Sequence, residues 1–208
     1  MGQKSQLAQD MFLLGPPGPL KRRLVMTMAE LCNWEVEYLH ISKDTAESDI
    51  KQRREIIGSS SLFIDQAPVR AAIHGRVLVL DGMENAERNV LPTINNLLEN
   101  REMSLEDGRY LLKQETYDSI MNNSLKEGSH ELVENANHSK LVPVHPNFRV
   151  IALSCPVPPY AGRTIDPPLR SRFQCRYVDE LATSTVLNNV SQAGGGGGAS
   201  QSSGASFV

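Results

Sequence analysis

The sequence predicts an α/β domain, a parallel sheet flanked by helices with a hairpin insertion. Three observations carry that reading. Residues 12–24 run from an apolar triplet through a Gly/Pro-rich loop and a lysine into a helix-like segment, which is the order strand, phosphate loop, helix. Residues 77–80 are four consecutive aliphatics ending at Asp81, as expected of a strand buried on both faces with an acid at its carboxyl end. Residues 148–153 repeat the buried-strand pattern and end at Ser154, Cys155 and Pro156.

A chain of 208 residues with 40% hydrophobic content can bury one core of ordinary size and still carry extra length. Its net charge of −3 supplies no global positive field for nucleic acid or an anionic membrane. Cys32, Cys155 and Cys175 are odd in number and lack paired metal spacing, so neither a zinc site nor a disulfide framework is indicated and a reducing compartment is expected. No apolar run approaches the ~20 residues of a membrane span. The first residues show neither a secretory core nor an Arg-rich presequence, and Gln6 stands where a myristoylation signal wants a hydroxyl.

The loop comes first in the chain. A phosphate loop, Gly-x-x-x-x-Gly-Lys-Ser/Thr, needs glycines so that backbone N–H groups can face phosphate oxygens, a lysine for charge and a hydroxyl for Mg²⁺. Gly15 and Lys21 hold the required spacing across Pro16, Pro17, Gly18 and Pro19, but Leu20 replaces the second glycine and Arg22 the hydroxyl. A left-handed backbone at Leu20 would cost about 1 kcal/mol or more. Arg22 offers donors but cannot ligate a cation, which leaves Mg²⁺ to other groups or to water. By itself the run reads as a weakened phosphate loop or as a Gly/Pro turn.

Residues 24–32 have helical spacing and 35–41 alternate like a half-buried strand. Residues 42–54 are polar; Ser42 or Asp44 could cap a helix ending near Lys51, Arg53 and Arg54. Those bases read as a solvated face, or one of them leans toward an anionic ligand. After a short apolar segment at 61–65, residues 67–73 read as a helix ending at Gly75.

Residues 77–84 form a Walker B pattern, in which the Asp81 carboxylate can hold Mg²⁺, often through water, beneath the phosphates. The next place, where hydrolysing enzymes of this type carry glutamate, is Gly82. Glu84 substitutes only if the turn re-aims it; otherwise it is an acid favourable at a helix N-terminus.

Residues 90–99 have helical spacing with Pro92 in the first turns, and 102–112 centre a hairpin on Asp107-Gly108. Residues 113–144 are polar and weakly periodic, an insertion or loop-helix segment. His130, His138 and His145 match no ligand spacing and are expected at the surface.

Taken in order, these pieces resemble the AAA+ ATPases, in particular their MoxR and dynein-related branch. There the Walker B strand is followed by a helix and a hairpin, then by a strand opening on a His-Pro-Asn-Phe-Arg-like phrase, then by an Arg-Phe with an arginine finger. The matching pieces are 77–84, 90–111, 145–152 and Arg172-Phe173. Residues 15–23, 51–56, 89–92, 95–103 and 166–173 are similar, more narrowly, to the first AAA module of large mitochondrial members with several such modules and a C-terminal von Willebrand A domain. The chain then reads as a fragment or short form.

The resemblance implies a P-loop NTPase (AAA+) large subdomain at residues 1–181, followed at 182–208 by a disordered tail where a helical lid is expected. Residues 191–206 hold five consecutive glycines and many serines, too little apolar surface to fold. It implies that Gly15, Pro16, Pro17, Gly18, Pro19, Leu20, Lys21 and Arg22 border ATP, with Lys21 touching the phosphates and Asp81 facing Mg²⁺. Arg172 would act in trans on a neighbour's γ-phosphate, and the sensor position falls on Cys155, a poor water-orienting group.

The implied partners are other AAA modules or subunits in a ring and an unidentified protein substrate, with no nucleic acid and no membrane insertion. The implied location is mitochondrial, or cytoplasmic in the absence of a presequence. Leu20, Arg22, Gly82 and Cys155 each remove a group that hydrolysis uses. The expected function is therefore ATP binding within a protein-remodelling ATPase, with weak or no turnover by this chain. The alternative is a pseudo-ATPase serving assembly or protein interaction.

Overall fold

The computed structural model describes residues 9–126, 140–164 and 167–179. All but Asp179 belong to one compact unit, Met1–Val178. The expected tail at 182–208, His130, His138 and Asp166 lie outside the described residues.

The chain enters at β1 (Met11–Leu14), crosses the Gly/Pro loop and runs into α1 (Leu20–Leu31) and β2 (Val36–His40). A short helix, α2 (Glu47–Ile50), leads to a hairpin of β3 (Gln52–Ile57) and β4 (Ser60–Asp65). Helix α3 (Ala67–His74) stops at Gly75, whose φ of 72° is the left-handed cap that glycine adopts without strain. Then come β5 (Val77–Asp81), a 3₁₀ turn (Met83–Asn85) and α4 (Leu91–Glu99). Strands β6 (Met103–Ser104), β7 (Tyr110–Lys113) and β8 (Leu141–Val144) form a small sheet, with α5 (Gln114–Lys126) between the last two. The chain returns through β9 (Arg149–Ser154), α6 (Pro167–Ser171) and β10 (Gln174–Tyr177).

The central sheet has the order β10-β1-β9-β5-β2 and every pairing in it is parallel. Alternation along each strand divides its side chains between two faces. Phe12, Leu78, Leu80, Val150 and Ala152 pack with residues of α3, α4 and the small sheet. Met11, Leu13, Val77, Val79, Ile151 and Leu153 pack with Val25 of α1. With both faces covered, the strands must be apolar throughout, which is why they read as unbroken hydrophobic runs.

Register brings the carboxyl ends of the strands level. Leu14 pairs with Ser154, and Asp81 with both His40 and Leu153. Asp10, just ahead of β1, ties the opposite, amino ends of β1 and β9: its carboxylate accepts from Val150 N at 2.8 Å and from Arg101 Nη2 at 2.9 Å. Burial, opposed mainly by Arg101, holds the Asp10 pKa above the ordinary carboxylate value.

One sequence expectation is corrected here. The polar helix expected over 42–54 is only Glu47–Ile50, and Arg53 and Arg54 lie on β3 of the hairpin. Asp49 bonds Ala46 N and Arg53 and so caps the one turn that forms. The hairpin is long-range: Gln52 and Arg109 tie it to Asp65 and Asp107. Such contacts are invisible to local periodicity. The helix at 67–74, the helix at 91–99 and the Asp107-Gly108 hairpin form as expected.

Candidate functional site

The site is built at the carboxyl ends of β1, β5 and β9. At the first of these, Gly15 N donates to Ser154 O at 3.3 Å, and Val178 N donates to Leu14 O at 2.7 Å. A Cβ on Gly15 would lie 2.3 Å from Val178 O, so backbone approach alone demands glycine there. The loop then turns through Gly18, at φ 153°, and becomes helical at Leu20.

That placement corrects the expectation for Leu20. It needs no left-handed backbone, because Gly18 carries the positive φ and Leu20 opens α1 in ordinary helical conformation. The substitution of the second loop glycine thus costs the backbone nothing here.

Helix α1 starts with open donors. Its first i→i−4 bond is Arg23 N to Pro19 O, and neither a side-chain cap nor an acid in the first turn serves its N-terminus. The N–H groups before it are those an anion could take. Lys21 is only 6% exposed. Its Nζ donates to Gly15 O at 2.8 Å and to Pro16 O at 2.5 Å, which curls the ammonium over the loop it follows in sequence.

One turn face away, Arg22 reaches the Walker B acid. Its Nε and Nη2 lie 3.1 and 2.6 Å from Asp81 Oδ2, and its guanidinium sits 5.5 Å from the centre of the Tyr38 ring. The Tyr38 hydroxyl donates to the same Oδ2. Bonding to Asp81 raises the Arg22 pKa. Burial first, and then the bond to Asp81, push the Tyr38 phenol up to about 12. The Arg22 side chain is 56% exposed, so the ion pair adds at most about 1 kcal/mol of stability. Its consequence is instead that Asp81 Oδ2 is surrounded by donors.

Gly82 follows at φ 91°, and a Cβ on it would lie 2.7 Å from Ile41 O. A glutamate cannot stand directly after Asp81 in this turn. The left-handed step folds the chain into the 3₁₀ turn and carries Glu84 inward, where it is 9% exposed and its Oε2 has no hydrogen-bond partner among the described residues. Glu84 faces the loop after β9: its backbone O accepts from Arg163 N at 2.7 Å, and a Cβ on Gly162 would lie 2.8 Å from its Cβ. Burial, and then the Glu84 charge, raise the Cys155 thiol pKa, while Lys21 pulls it down. Lys21, Asp81 and Glu84 thus all lie close enough to act on the Cys155 thiol.

Arg172 does not join them in this chain. Its Nη1 donates to Asn95 Oδ1 at 2.7 Å, and its Nη2 pairs with Glu99, both on α4. Phe173 anchors the phrase by packing on Phe12, ring centres 5.5 Å apart. Sequence reasoning missed Tyr38, whose place on the α1-facing side of β2 could be inferred from the alternation at 35–41. It also missed Arg163 and Arg170, which with Cys155 and Leu14 line a cavity of about 190 Å³ beside the site. Basic residues following the Pro/Gly-rich loop at 156–162 were the available signal.

A family description, the AAA domain of the dynein-related subfamily, matches residues 10–173. The chain belongs to the dynein-related AAA subfamily. Its match to von Willebrand factor A domain-containing protein 8 of Mus musculus is 58% identical over 174 residues, 84% of this chain. Midasin of Giardia intestinalis is 29% identical over 93 residues, 45% of the chain, and an uncharacterized protein of Staphylococcus saprophyticus is 31% identical over 101 residues. The chain spans 9%, 2% and 38% of the lengths of these three relatives.

A solved putative ATPase from Cytophaga hutchinsonii shares the fold at a TM-score of 0.59 and 12% identity, over 94% of this chain and 51% of that one. The parallel sheet flanked by helices is thus the AAA+ P-loop NTPase fold. In this dynein-related AAA module the five parallel strands run in the order β10-β1-β9-β5-β2. Among the described residues, no helix is long and apolar enough to cross a membrane.

Proposed function

We propose that this chain is the ATP-binding AAA module of a larger ring-forming ATPase, holding nucleotide on residues 15–22 with little or no turnover of its own. The start of α1 carries the reading: open backbone donors, no acidic cap and a buried Lys21 whose ammonium already crosses the loop. Anions are favoured at such helix starts by both the donors and the macrodipole.

In this reading Lys21 meets the phosphates and Glu84 is the carboxylate nearest to serving as a base. Arg172 reaches a neighbour's γ-phosphate once assembly releases it from Asn95 and Glu99. Protein remodelling and a mitochondrial setting go with the larger assembly. The alternative, a pseudo-ATPase used for assembly, is favoured by Gly82, whose geometry bars a glutamate after Asp81.

Calorimetric titration with ATP, run beside a phosphate-release assay, tests the proposal. Saturable heat with release at background supports it. A folded chain that yields no heat contradicts nucleotide binding, and rapid release by the chain alone contradicts the low turnover.

A further inference from the structure

We infer that the guanidinium of Arg22 takes the place of the metal ion, so that this module binds ATP or ADP as the metal-free polyphosphate. The inference rests on the nucleotide reading above and goes beyond it by naming the ionic form of the ligand.

Mg²⁺ requires about six oxygen ligands in near-octahedral array, and in phosphate loops a hydroxyl and a carboxylate position it. The hydroxyl is absent here, and one of the two oxygens of the carboxylate is already taken. Arg22 stands at the hydroxyl position in the first turn of α1. Asp81 Oδ2 already accepts from Arg22 Nε, Arg22 Nη2 and the Tyr38 hydroxyl. Three donors use up the lone pairs of one carboxylate oxygen, so a metal or its water could bind there only by displacing them.

The neighbouring groups do not replace the loss. Glu84 has a buried oxygen without a partner among the described residues, but beside it lies the Cys155 thiol, whose pKa burial and the Glu84 charge raise. A thiol is a soft donor that does not suit Mg²⁺.

The same residues suit a bare polyphosphate. Arg22 is a planar fork; Nε and Nη2 face Asp81, while no described group engages Nη1. Guanidinium forks bind phosphate oxygens with short, strong hydrogen bonds. Asp81 thereby acts as a support that fixes the fork, and Tyr38 locks the support. Lys21 brings the second fixed cation. In MgATP the metal has already neutralised part of the phosphate charge, whereas free ATP offers all of it to Arg22 and Lys21.

Displacement of the fluorescent analogue TNP-ATP by ATP, in excess EDTA and again in millimolar Mg²⁺, tests this. The wild-type chain should bind ATP in EDTA at least as tightly as with Mg²⁺. Arg22→Thr restores the hydroxyl and frees Asp81, and its affinity should fall about tenfold or more when Mg²⁺ is removed. Arg22→Lys keeps a charge without the fork and should stay EDTA-resistant, and far-UV circular dichroism reports that each variant is folded.

Wild-type binding that is lost in EDTA overturns the inference and leaves the nucleotide reading intact. Equal metal dependence of the wild type and Arg22→Thr overturns it as well. A folded wild-type chain that binds in neither condition overturns both the inference and the reading beneath it.

Discussion

A Cβ on Gly82 would lie 2.7 Å from the carbonyl oxygen of Ile41. The contact exists because Ile41 N donates to Asp81 O at 2.7 Å, which draws β2 and β5 together where the Walker B strand ends. Gly82 is also at φ 91°. Gly82→Glu therefore does not restore a catalytic glutamate. It should destabilise the chain by about 2 kcal/mol or more through backbone strain alone, read as a lower urea midpoint, with no gain in phosphate release. Wild-type stability in this variant would contradict the turn.

Glu84 holds a buried carboxylate oxygen without a partner among the described residues. A site kept for function tolerates such a cost, whereas a structural site does not. Glu84→Met should raise stability by about 1 kcal/mol while abolishing whatever hydrolysis the assembled protein retains at this module. A loss of stability would show instead that the carboxylate is structural.

Arg172 is fastened to Asn95 and Glu99 within its own chain. Arg172→Ala should cost the fragment about 1 to 2 kcal/mol, since bonds to charged groups are worth more than neutral ones. Its ATP affinity should stay unchanged. A fall in affinity of the isolated fragment would mean that Arg172 serves the site of its own chain.

Tyr38 gives the site a pH signature. Its folded-state pKa of about 12 lies above the ordinary phenol value of 10.0, so the fold prefers the neutral phenol. That preference is fully present below pH 10 and is lost as the pH climbs from 10 toward 12. Thermal midpoints of the wild type should fall more steeply than those of Tyr38→Phe across this window, and the difference spectrum of the two near 295 nm should titrate near pH 12. Parallel curves would contradict the burial of the Tyr38 phenol together with its bond to Asp81.

Much of this was legible in the sequence because burial on both faces writes itself as unbroken apolar runs. β5 and β9 were readable for that reason, as were the Gly75 cap and the Asp107-Gly108 turn, whose chemistry is local. The β3–β4 hairpin was not, because Gln52 and Arg109 hold it from residues far away in sequence. At the site, spacing singled out Lys21 and Asp81, the family resemblance pointed to Cys155, and whether Glu84 turns inward was left to the fold. The conformations of Leu20 and Gly82 depend on how Gly18 and Ile41 share the turns, and spacing does not encode that. The Arg22–Asp81 pair links positions 59 residues apart and needed the fold to bring them together.

The central claim is that residues 15–22 still cradle phosphate. Its most direct test is thermal unfolding of the wild type and Lys21→Ala with and without millimolar ATP, each compared with its own ligand-free midpoint. A ligand at 100 times its dissociation constant stabilises the fold by about 2.7 kcal/mol. An upward shift in the wild type that disappears in Lys21→Ala is expected. An equal shift in both, or no shift in a folded wild type, would contradict it.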